Sequence, residues 1–184
     1  MKMQKSMSVL TRPLWFATLL VAGIGTSLGF ACAVPLAALA ALGTLTLGRG
    51  TALALVVVVV AANQAVGFGL LHYPHDPVTI AWGGAFLLVG VLAVFAADFI
   101  EARGPALPQA ALYALAFVAA FTAYEGGLFL LSLATHGGLY PYEPAIVLRV
   151  LAINAVTFAG LLAAGRLAVG AGFSDGVRLS REAA

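Results

Sequence analysis

The chain has 184 residues, 62% of them hydrophobic and 9% charged, with a net charge of +2 and a mean hydropathy of +1.06. A soluble domain is about 25% charged, so this composition excludes a soluble enzyme and implies a chain whose apolar surface faces lipid. Cys32 is the single cysteine, which excludes an intramolecular disulfide, a cysteine-rich metal site and a CxxC redox pair.

Residues 1–12 form a polar start with Lys2, Lys5 and Arg12 and read as a cytoplasmic segment. Followed by an apolar run ending Ala31-Cys32-Ala33, they imitate a secretory signal with a small-residue cleavage site. The apolar pattern continues beyond Ala33, so an uncleaved first span is the reading, with a five-span cleaved form as its alternative. Residues 13–169 then read as one transmembrane domain and 170–184 as a cytoplasmic tail.

The Pro and Gly breaks divide the transmembrane part into five blocks: Pro13 to Leu47, Thr51 to Leu71, Val78 to Ile100, Leu107 to Thr135 and Ala145 to Val169. A membrane span needs roughly 17–25 residues. The first block is too long for one, and Gly23, Gly25 and Gly29 in its middle predict two short helices joined by a tight turn between Gly25 and Ala31. The expected fold is therefore all-α, a polytopic bundle of about six transmembrane helices whose first two form a tight hairpin. Charge placement agrees: with a cytoplasmic amino terminus, six spans put Lys2, Lys5, Arg12, Arg49, Arg103, Arg166, Arg178 and Arg181 on the cytoplasmic side, leaving Arg149 as the exception. The two longest outward segments, His72 to Pro77 and His136 to Pro144, hold no Lys or Arg and are rich in His, Tyr, Pro and Gly.

Polar groups inside hydrocarbon are costly unless partnered, which makes each one a candidate for function. Asn63, Gln64, Glu125, Arg149 and Asn154 all fall in the middle or outer layer of their spans. A carboxylate at the depth of Glu125 needs a cation or donor beside it, and Arg149 is the nearest cationic candidate; their pairing serves equally to pin helices or to bind a ligand. Asn63 and Gln64 are adjacent and point about 100° apart, so one faces a given pocket. Asn154 and Thr157 share a face and suit an interhelical seam as well as a ligand contact. Trp82 and Tyr124 offer stacking for a ring. His72, His75, Asp76 and His136 are weak candidates for a metal site, since imidazole and carboxylate suit Zn, Ni or Co. There is no GxxxxGK[ST] loop, GxSxG elbow, HExxH helix or GxGxxG turn, so no catalytic residue or cofactor is assigned, and any ATP hydrolysis belongs to other subunits.

Ala33, Ala37 and Ala41 form a small-residue stripe at spacing four, a surface on which another helix backbone packs closely, within the bundle or from a partner. With this stripe, its length, six expected spans and an outer polar cluster around Glu125 and Arg149, the chain resembles the substrate-binding S components of energy-coupling-factor transporters. The resemblance implies that the stripe meets a transmembrane coupling subunit, that paired ATPases supply the energy, and that a vitamin-like compound or metal ion binds near the outer face of the inner membrane. Two other readings use the same residues differently: an interaction or scaffold subunit of a larger membrane complex, and a metal-dependent membrane enzyme built on the loop histidines.

Overall fold

Each break between helices coincides with a Pro or a Gly. The computed structural model describes residues 2–30, 34–104, 107–135 and 142–170. Six helices fill these segments: α1 (Lys2–Phe30), α2 (Leu36–Leu47), α3 (Arg49–Gly69), α4 (Pro77–Arg103), α5 (Gln109–Ala134) and α6 (Pro144–Gly170). There is no strand among the described residues. Helices α3 to α6 are long and apolar enough to cross a membrane. The protein is thus a polytopic helical membrane protein, and the tail from residue 171 lies outside the described residues.

The first apolar block does divide in two, but unequally. Helix α1 is 29 residues long and starts well before the apolar run, with Pro13 inside it. It also runs on through Gly23 and from Gly25 to Phe30, the stretch in which the turn was expected. The reason is packing. A Cβ on Gly23 would stand 2.8 Å from Leu39 Cδ1 and 3.0 Å from Val59 Cγ2, so this glycine admits α2 and α3 close to α1. The break falls later, where Pro35 precedes α2.

Helix α2 is the axis of the molecule. All twelve of its residues are buried, and it packs against each of the other five helices. Alanines and Gly43 let neighbours approach, the Gly43 position lying 3.2 Å from Ala52 Cβ for an added methyl. Its two threonines turn their hydroxyls back onto the carbonyls of Ala40 and Leu42, the usual way a span absorbs a hydroxyl. Arg12 donates to the carbonyl of Leu47 at 2.8 Å, and Trp15 Nε1 donates to Thr46 Oγ1 at 2.9 Å. Trp15, whose ring suits an interface anchor, is therefore a buried strut. Gly48 alone joins α2 to α3 at φ 86°, a left-handed conformation that only glycine adopts freely.

These contacts fix an up-and-down arrangement with one basic end. Arg12, the end of α2, Arg49 at the start of α3 and Asp98 near the end of α4 meet there, Arg49 reaching Asp98 at 3.0 Å. Arg49 and Arg103 also lie over Phe95 and Phe99, with ring centroids 5.9 and 3.4 Å away. Arg166, late in α6, is within electrostatic range of Tyr113 at the start of α5. The opposite end carries His72, His75, Asp76, Tyr142 and Glu143.

Candidate functional site in the outer half of the bundle

The core is lopsided. Counting 1.5 Å of rise per residue from the Arg12–Leu47 hydrogen bond, Phe30 stands about 27 Å from the basic end but Leu36 only about 17 Å. The axial helix therefore begins midway, and among the described residues no second helix continues it toward the opposite end. The buried face of α3 shows the consequence. Ala52, Leu55, Val56, Val59 and Val60 are buried, and Asn63 continues the same stripe, four residues past Val59, yet it is only half-buried. One turn further, Gly67 is buried again, beneath the Tyr73 ring.

Of the two tasks its sequence position allows, Asn154 performs the interhelical one. It is 1% exposed; its Oδ1 accepts from the Ala38 backbone N–H at 3.2 Å, and its Nδ2 donates to the Val150 carbonyl at 3.0 Å. Ala38 is the third residue of α2, where a helix leaves backbone donors without intrahelical partners. Helix α6 thus supplies across the bundle the cap that Pro35 has no side-chain oxygen to give. Asn154 is an interhelical pin, and its polar atoms are committed to backbone.

The other sequence candidates separate. Gln64 lies over α4, its Oε1 2.6 Å from where a Cβ on Gly83 would stand, and it donates weakly to Asn63 Oδ1 at 3.4 Å. Trp82 belongs to an apolar groove of about 470 Å³ between α4 and α5, lined also by Val78, Ala85, Leu88, Leu131 and Thr135. Tyr124 is 3% exposed on the inner face of α5. Glu125 is half-buried one residue further on. The expected Glu125–Arg149 pair does not form: Arg149 sits on the exposed face of α6, and the one ion pair among the described residues is Arg49–Asp98 at the other end. Depth along the spans brought the two residues to one layer, but the helical phase of α6 turns Arg149 away.

Ala37 and Ala41 have no exposed surface, so the stripe is spent inside the monomer, where it forms the surface of the axial helix; Ala33 lies outside the described residues. The loop histidines do not gather either. Among the described residues no three His, Cys, Asp or Glu side chains come together as metal ligands; His136 lies outside them. The His75 ring sits against Phe68, centroids 5.1 Å apart, and Asp76 caps α4 by accepting from the backbone of Val78 and Thr79 at 2.9 and 3.0 Å and from the Thr79 hydroxyl at 2.7 Å. Those bonds, that of the Thr79 hydroxyl first, hold the Asp76 carboxyl below its ordinary range.

What sequence reading missed lies along α5. Phe117 stacks on Phe121 and meets Phe158 of α6, with centroids 6.2 and 4.8 Å apart. Phe129 meets Tyr142, just before α6, edge to face at 5.1 Å. Ser132, 1% exposed, shares a hydrogen bond with the Tyr142 phenol; burial first, and then the Glu125 carboxylate, push that phenol above its ordinary range. The signal was present as aromatics four residues apart on α5, which composition alone reads as core.

The fold defines a class: an integral membrane protein of packed helices, four of them long and apolar enough to span a bilayer. Compared with known proteins, the chain matches no family model, no curated protein and no solved structure.

Proposed function

We propose that the protein is a membrane-embedded substrate-binding subunit for uptake of a small molecule, a vitamin-like compound or metal ion, held in the outer half of the bundle. The observation that carries this reading is the truncated axis: α2 begins only midway along the bundle, and half-buried Asn63 and Glu125 lie in the half beyond it. Small-molecule sites are usually apolar with a few polar groups, the balance this half of the bundle offers. In this reading the basic end faces the cytoplasm, with both termini, and the protein resides in the inner membrane.

The chain has no phosphate-binding loop, so energy for uptake comes from partner ATPases through a coupling subunit, as in the energy-coupling-factor systems it resembles. With Ala37 and Ala41 enclosed, such a subunit docks on another surface of the bundle. Native mass spectrometry of the protein purified in mild detergent with its natural partners tests the reading. A releasable small molecule is expected, and its affinity should fall about tenfold or more in Glu125→Gln, the scale of losing a charge-assisted contact, with yield unchanged. Partners without any ligand would make the chain a scaffold subunit instead, and an unchanged affinity would remove Glu125 from the site.

A further inference from the structure

Resting on that reading, we propose that the ligand is an organic cation, an ammonium group on an apolar body, gripped by Glu125 within an aromatic ladder at the seam of α5 and α6. Phe117, Phe121, Glu125 and Phe129 follow one another at intervals of four along α5, which places them on one ridge of the helix. Both ends of the ridge touch the α6 side: Phe117 meets Phe158, and Phe129 meets Tyr142. Glu125 lies between them in the same seam, within electrostatic range of the Tyr142 phenol.

The seam is held by aromatic side chains and is otherwise lightly packed. Helix α6 is the most exposed of the four spanning helices, and it leans on α2 more than on α5. The protein supplies no cation of its own there among the described residues, since Arg149 faces outward and the single ion pair is at the basic end. A carboxylate in a low-dielectric seam gains most from a mobile positive charge, and the faces of aromatic rings attract the same charge. Both features repel an anion. A hard divalent ion requires about six oxygen ligands, whereas Glu125 is flanked on its ridge by phenyl rings; an ammonium uses those rings directly.

The test uses the full-length chain in lipid nanodiscs with benzylammonium as the probe and benzyl alcohol and phenylacetate as its neutral and anionic counterparts, read by saturation-transfer NMR and calorimetry. Saturable binding of benzylammonium is expected, in preference to both counterparts. It should weaken about tenfold or more in Glu125→Gln, weaken in Phe121→Leu and Phe129→Leu, and survive in Glu125→Asp. Glu143→Gln, which removes an exposed carboxylate at the same end, should leave it unchanged. Equal binding to Glu125→Gln, or a preference for phenylacetate or benzyl alcohol, overturns the cation assignment. The two levels separate on the natural ligand: a released neutral or anionic molecule sinks the cation and leaves substrate binding standing, while no released molecule sinks both.

Discussion

Asn154 is enclosed and Glu125 half-buried, and their substitutions should fail in different ways. The Asn154 side chain closes onto the Ala38 N–H and the Val150 carbonyl with 1% of its surface exposed. In hydrocarbon no water replaces such a partner. Asn154→Ala should lower the unfolding free energy by about 1–3 kcal/mol, the cost of an unsatisfied buried donor, seen as a lower thermal midpoint in detergent. Asn154→Asp keeps an acceptor for Ala38 and should lose less in ligand-free protein than the alanine variant; a smaller loss in Asn154→Ala than in Asn154→Asp would show that the α2 cap is not what Asn154 supports. Sequence reading identified both residues as costly and estimated their depth from the rise per residue, which helix geometry fixes. It gave no partner for Asn154, since the Ala38 N–H is exposed only by a helix break 116 residues away, and it paired Glu125 with Arg149 because depth is legible from sequence while rotation about the helix axis is not.

At the scale of the element, the long helices were legible from composition, and the short one was legible only as a length problem. A 35-residue apolar block announces a break, yet three glycines near its middle and one proline beyond them compete for it. Gly23 proved to be a close-approach position against Leu39 and Val59, and Pro35 marks the true start of α2. The start of α4 shows what sequence does settle: Asp76-Pro77 is a cap followed by a first-turn proline, and Asp76 accepts from Val78 and Thr79 as that pattern requires. Because the folded carboxyl sits below its ordinary value near 3.8, its stabilisation of α4 is fully present above the unfolded value and is lost as pH falls through the folded one. Hydrogen exchange at Val78 and Thr79 should therefore stay slow from neutral pH down to about pH 4 and rise, relative to mid-helix amides, only below it. In Asp76→Ala the same amides should exchange fast at every pH, and a pH response persisting in that variant would assign it to another group.

For the molecule as a whole, the alternation of basic and histidine-rich connections matches the alternation of helix direction, and this is the level at which sequence was most informative. Arg12, Arg49 and Asp98 converge through named contacts at one end, while His75, Asp76 and Glu143 lie at the other, and the positive-inside rule assigns the first end to the cytoplasm. With Cys32 replaced by serine, single cysteines placed at His75 or Glu143, both exposed, should react with a membrane-impermeant maleimide on intact cells. A cysteine at Arg103, exposed at the basic end, should react only after permeabilisation. Reaction at Arg103 alone on intact cells would invert the protein in the membrane and turn the end bearing His75 and Glu143 toward the cytoplasm, which is incompatible with capture of a substrate from outside. Reaction of all three from one side would mean that α4 does not carry His75 and Arg103 to opposite faces of the membrane. The predicted pattern leaves the basic, alanine-packed end inward and the end bearing His75 and Glu143 outward, the orientation that the proposed capture of a substrate from outside requires.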